Sequence, residues 1–150
     1  MSPDRNHQKI RPVTKPGLFR LLAAIVYDLI LLLAVLFAAT ALVLPLNAGE
    51  AFTGRQFLYP IYLLGVSFLY YGWFWTHGGQ TLGLKAWKIK VLTRNRETIN
   101  WQQAGLRFFA AGLSWLCFGL GFLWMLVDNN RLSWHDHLSK TALFFDEPEK

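Results

Sequence analysis

The chain has 150 residues, of which 53% are hydrophobic and 16% charged, and a formal charge of +6. Its apolar residues lie in long runs rather than alternating patches, which excludes an ordinary water-soluble domain and predicts an all-α integral membrane protein. One cysteine, Cys117, excludes an intramolecular disulfide framework.

Residues 1–17 form a basic tail carrying Arg5, Lys9, Arg11 and Lys15 against Asp4. The first apolar run, residues 18–44, is interrupted only by Arg20 and Asp28. At about 1.5 Å per residue its uninterrupted part, residues 29–44, spans about 24 Å, so a few earlier residues complete a core of about 30 Å. The run exceeds a signal-peptide core and is expected to remain as an anchor. A second crossing is predicted over residues 57–75. Within a third apolar region, residues 108–127, two signals conflict. Gly105, Gly112 and Gly119 recur every seven residues and favour a full crossing packed on another helix, whereas Phe118-Gly119-Leu120-Gly121 favours a bend and return. The reading is therefore two secure transmembrane helices and a third region that either spans fully or is re-entrant.

Charge supplies orientation. The connection over residues 45–56 has only Glu50 and Arg55, while residues 76–103 carry Lys85, Lys88, Lys90, Arg94 and Arg96 against Glu97. The positive-inside rule places the N-terminus and this second connection in the cytoplasm, with the first connection outside; the expected location is a plasma membrane, namely a bacterial inner membrane. Trp87 and Ile89 interleave with the lysines, a pattern that suits a membrane interface better than nucleic acid; membrane lipids are the expected partners and nucleic acid is not. Trp73, Trp75, Trp124 and Trp134 suit the same interface.

Trp87-Lys88-Ile89-Lys90-Val91 alternates, and Thr93-Arg94-Asn95-Arg96 predicts a turn toward Thr98-Ile99-Asn100-Trp101, giving a small cytoplasmic β-hairpin. Thr141-Ala142-Leu143-Phe144-Phe145 reads as another short strand, able to pair with residues 88–92 if both lie on one side. Gly78, Gly79 and Gly83 permit tight turns, and Gln80 and Thr81 suit local hydrogen bonds; none has the order of a phosphate-binding loop. Residues 146–150 form a short acidic tail.

The functional candidates are few. Arg20 and Asp28 lie about 12 Å apart along a helix and roughly 80° apart around it, so no direct bridge is required, and Arg20 can reach headgroups. Asp28 has three open readings: an interfacial residue, part of a charge-paired network, or a transport-related or regulatory carboxylate. In Trp134-His135-Asp136-His137 the adjacent ligand types do not define a coordination sphere, and a hydrogen-bonded turn is preferred to a metal site. His77 reads as interfacial, and Arg107 as a headgroup anchor in preference to a partner for a phosphate or for Asp136. Ser114 has no acid or base at a useful spacing; neither an enzyme nor a cofactor is expected.

Arg20 and Asp28, Gly79-Gln80-Thr81-Leu82-Gly83-Leu84-Lys85, and Arg131-Leu132-Ser133-Trp134-His135-Asp136-His137-Leu138-Ser139-Lys140-Thr141 together resemble the RDD family of membrane proteins, over residues 14–145. The resemblance makes residues 18–145 an RDD-like membrane domain, with Arg20, Asp28 and Asp136 as the Arg and two Asp that give the family its name. His137, Ser139 and Lys140 depart from the family's usual His-Asp-Arg-Leu-Ala-Gly-Thr. It also implies ion or proton/cation exchange, with Asp28 protonated, Arg20 or Arg107 modulating it, and Asp136 as a cytoplasmic gate or salt-bridge partner. Three short spans offer little room for a pathway, so exchange would need a homo-oligomer or larger membrane complex. The competing and preferred expectation is a noncatalytic adaptor or assembly component, with Asp136 held in a tail-to-loop contact by Arg94, Arg96 or Arg107. His135 and His137 are secondary candidates.

Overall fold

The computed structural model describes residues 15–53 and 56–146. Most of the basic tail, Arg55 and residues 147–150 lie outside the described residues. Helix α1 is Leu18–Val43, prolonged by a 3-10 turn at Leu44–Asn47 where Pro45 ends the α-helical ladder. This continuous stretch is, among the described residues, the one helix long and apolar enough to cross a membrane unaided. Helix α2, Leu58–Thr76, has 19 residues. Four of the chain's tyrosines and two of its tryptophans lie in it, and they dilute its hydropathy. A short α3, Leu82–Ala86, leads into strand β1, Ile89–Thr93. Then come α4, Trp101–Leu116; α5, Leu120–Leu123, with a 3-10 turn at Trp124–Leu126; α6, Trp134–Ser139; and strand β2, Thr141–Phe145.

The third apolar region is not one straight helix. After α4 the chain bends by 106° into the short helical stretch ending at Leu126. Phe118 and Gly119 both have positive φ, of 56° and 76°. The Gly119 amide donates to the Ser114 carbonyl at 2.8 Å and that of Phe118 to Trp115 at 3.1 Å, the paired closure of a Schellman C-cap. Termination at Leu116 removes Gly119 from the small-residue face expected with Gly105 and Gly112. Gly105 approaches Phe68, whereas the position above Gly112 is open.

The sheet is two-stranded and antiparallel, but it is not the hairpin expected over residues 87–101. β1 pairs with β2 in the register Ile89↔Phe145 through Thr93↔Thr141. The turn after Thr93 forms, with the Arg96 amide donating to the Thr93 carbonyl at 2.9 Å. The chain beyond it instead enters α4, because Asn100 and Gln103 make a reciprocal capping box that favours a helix start over a return strand. The pairing of the 141–145 segment with β1 follows the second expectation.

Ile89 and Val91 point inward from β1 and are fully buried with Leu21, Ala24, Leu84 and Leu143. Each of these side chains except that of Ala24 contributes about 1.5–3 kcal/mol relative to exposure in water. They seat a small cap, made of α3, β1, α6 and β2, on the cap-facing ends of α1 and α4. Phe19, Phe37, Leu42, Leu58 and Leu116 remain exposed on the outer helix faces, as lipid-facing residues do.

Candidate functional site

Two buried polar clusters hold the cap to the helices. In the first, Asp28 of α1 accepts from the Gly83 amide at 2.8 Å and from the Thr81 hydroxyl. Thr81 is the N-cap of α3, where its Oγ1 also accepts from the Leu84 amide at 3.2 Å. Gly83 is required by the approach itself: a Cβ there would lie 2.7 Å from the Asp28 carboxyl carbon and overlap the Ala24 carbonyl. Gly79, with φ of 71°, accepts from the Val91 amide at 2.7 Å, and Gln80 donates to the Ile89 carbonyl at 3.0 Å. The glycine-containing segment therefore folds the loop against α1 and β1. Sequence reasoning gave Thr81 a local role; its longest-range contact, 53 residues back, was missed. The Thr-Leu-Gly spacing at a helix start was the available signal.

In the second cluster Asp136 of α6 is buried against Arg107 of α4. Arg107 Nη1 donates to Asp136 Oδ1 and, at 2.8 Å, to Thr141 Oγ1 of β2. Asp136 Oδ2 accepts from the Ser133 amide at 3.1 Å and hydroxyl at 2.6 Å, as part of the capping box that starts α6. That Ser-x-x-Asp box was legible in the sequence and went unused. Arg107 is 4% exposed, so the headgroup-anchor expectation is corrected: α4 turns this side chain toward α6 and β2, where a carboxylate and a hydroxyl satisfy it. Of the three arginines expected to face Asp136, the partner is Arg107. Arg96 instead lies over the Phe144 ring at 5.4 Å. Burial pushes the Asp136 carboxyl up, but the Arg107 guanidinium, with the His135 imidazole and the Ser133 hydroxyl, outweighs it and holds its pKa down at about 2.

His135 is also buried, with Nε2 at 2.8 Å from Ser133 Oγ. The Ser133 proton goes to Asp136, so His135 Nε2 carries the hydrogen and donates, leaving Nδ1 without a partner. Burial, helped by Arg107 and opposed by Asp136, pushes the imidazole down to about 4. His135 is thus neutral at pH 7. Because the folded pKa is depressed, the unfolded chain takes up the proton first as pH falls below about 6.5. Folding stability is expected to drop progressively from pH 6.5 to 4, by roughly 3 kcal/mol in all. His135→Gln should flatten that slope in detergent unfolding curves; an unchanged slope would assign it to other groups.

The remaining candidates lie elsewhere. Arg20 is exposed with its guanidinium 5.3 Å from the Phe145 ring centroid, and among the described residues neither it nor Asp28 forms an ion pair. His137 points outward on α6, its Nε2 3.2 Å from Asp128. Amides, led by that of Leu132 at 2.9 Å, hold the Asp128 carboxyl below the usual range. His77 stacks on Trp73 with ring centroids 4.0 Å apart, and Ser114 is buried with no partner for its hydroxyl. Among the described residues no group of three or more His, Cys, Asp or Glu could hold a metal ion.

Between the two clusters lies a cavity of about 680 Å³ bounded by α1, α2, α4 and α5. Its walls are mainly Leu and aromatic side chains, and Asp28, Thr81, Arg107 and His135 border it where the cap closes over the helices.

One long apolar helix and its shorter neighbours capped by a small sheet, with buried charged residues fastening the cap to them, define a membrane-associated, mostly helical protein. The chain belongs to the RDD family, whose model matches residues 15–140. No curated protein and no solved structure matches it.

Proposed function

We propose that the protein is a noncatalytic membrane adaptor or assembly component, carrying its cap on the cytoplasmic face of a plasma membrane. The observation that supports this reading is that the two buried charged residues of α1 and α4 are engaged in holding the cap: Asp28 by Thr81 and Gly83, Arg107 by Asp136 and Thr141. A hydrated ion path needs polar groups along its length, whereas the cavity between these clusters is walled by apolar side chains.

The topology that goes with it has α1 and α2 as two full spans and the bent α4–α5 pair as a re-entrant segment. Strand hydrogen bonds cannot form across a bilayer. The β1–β2 pairing therefore favours one side for the loop after α2 and for the chain end. Exposed Lys85, Lys88, Arg94 and Arg96 support a cytoplasmic assignment for that side. Membrane lipids and any second copy or larger membrane complex then meet the outer faces of the helices.

Two experiments test these statements. Single cysteines at Arg94 and Lys140, in a Cys117→Ser background, should both be labelled only from the cytoplasmic side; labelling from opposite sides would remove the re-entrant topology. The purified protein in liposomes should show no proton or cation flux above empty vesicles. Flux that disappears in a correctly inserted Asp28→Asn variant would replace the adaptor reading with exchange by an oligomer.

A further inference from the structure

We infer that the cavity beneath the cap is a binding site for a lipophilic organic cation, with Asp28 as the opposing charge. The inference stands apart from the adaptor reading, since a ligand held there requires neither flux nor a partner protein.

Charge placement carries it first. Arg107, the buried cation on the cavity wall, is neutralised by Asp136 through a direct ion pair. Asp28 borders the same cavity, yet its two donors, the Thr81 hydroxyl and the Gly83 amide, are both uncharged. A carboxylate has about four acceptor positions and two are used. An ionised Asp28 thus leaves one net negative charge beside an apolar space, where low dielectric makes a cationic partner strongly favoured.

The walls define the rest of the ligand. A volume of about 680 Å³ lies within the roughly 300–1,000 Å³ of sites that enclose drug-sized molecules. Tyr71, Phe108, Trp115 and Phe122 line it, aromatic groups of the kind that attract delocalised or quaternary cations and supply apolar area for their substituents, while the Trp75 ring is already covered by the Arg107 guanidinium at 5.3 Å. A bare metal ion would lack ligands, because among the described residues no cluster of His, Cys, Asp or Glu surrounds Asp28. A lipid acyl chain would fill the space but leave the carboxylate unmatched, and an anion would meet it with repulsion.

The test uses the full-length protein in phosphatidylcholine nanodiscs, with radiolabelled tetraphenylphosphonium as the cation and tetraphenylborate as an anion of the same shape, each measured against empty nanodiscs. Saturable binding of the cation alone is expected, weakened at least ten-fold by Asp28→Asn. Gly112 lines the cavity and a Cβ there meets nothing within 4 Å, so Gly112→Phe should fill the space and abolish binding while the unfolding midpoint is retained. This variant keeps the test decisive should Asp28→Asn fail to fold. Absence of saturable cation binding would overturn the inference. So would equal binding of both ions, unchanged affinity in a folded Asp28→Asn protein, or undiminished binding in Gly112→Phe.

Discussion

Arg107→Met is expected to destabilise the protein by about 3–5 kcal/mol, because it leaves the Asp136 carboxylate buried with only Ser133 to compensate it. Asp136→Ala strands the guanidinium in the same way. Removing both charges together, in Arg107→Met/Asp136→Leu, should recover much of the loss, since an apolar pair avoids the desolvation that makes the single variants so costly. The effects are read from denaturant unfolding in detergent micelles, with protease access to the cap as a second signal. A loss below about 1 kcal/mol in both single variants would put the pair in the class of exposed surface ion pairs and contradict its burial. The pH dependence has a definite sign. The Asp136 pKa is depressed to about 2 from about 3.9 in an unfolded chain. Its contribution is present in full above the unfolded value and is lost as pH falls through the folded one. Neutral and mildly acidic conditions should therefore leave Asp136 ionised beside Arg107, and the decline between pH 6.5 and 4 belongs to the neighbouring His135.

The elements of this fold were legible wherever local chemistry decides them. Continuous apolar runs gave α1 and α2, and the same runs gave the third region together with the Phe118–Gly121 break that bends it. Alternation marked β1, and β-branched and aromatic residues marked β2. The hairpin failed because two adjacent signals competed: the Thr93 turn suggested a return strand, while Asn100-x-x-Gln103 starts a helix and won. Partner identity was the part that local rules do not encode. Arg107 and Asp136 are 29 residues apart and meet because α6 packs across α4. Arg94, Arg96 and Arg107 were equivalent on sequence alone, and only the direction in which α4 presents residue 107 separates them. Arg20 and Asp28 share a helix and a family name, yet one faces the rim of the sheet and the other the α3 start. Eight residues along a helix set that divergence, which the expected angular offset already allowed.

Gly83→Ala is expected to cost about 3 kcal/mol, whereas Gly112→Ala, the same chemical change, should be neutral or slightly stabilising. The two glycines differ in what a methyl group would meet. At Gly83 it would overlap backbone, the Ala24 carbonyl of α1, and approach the Asp28 carboxyl carbon to 2.7 Å. Neither atom is the free end of a flexible chain, so α3 would have to move off α1 and break the bonds from Thr81 and Gly83 to Asp28. The estimate combines the loss of two hydrogen bonds to a buried carboxylate, about 1.5–3 kcal/mol each, with some relief as water reaches the opened site. At Gly112 the space is empty, and replacing a mid-helix glycine by alanine stabilises an α-helix by about 1 kcal/mol. Measured side by side by unfolding in detergent, with a cysteine reporter on α3 for cap detachment, the pair separates a packing requirement from a general effect of glycine replacement. Equal midpoints for the two variants would mean that α3 does not seat on α1 through Gly83. A Gly83→Ala protein that loses stability while its cap stays protected would place the strain within the helices rather than at the Asp28 contact.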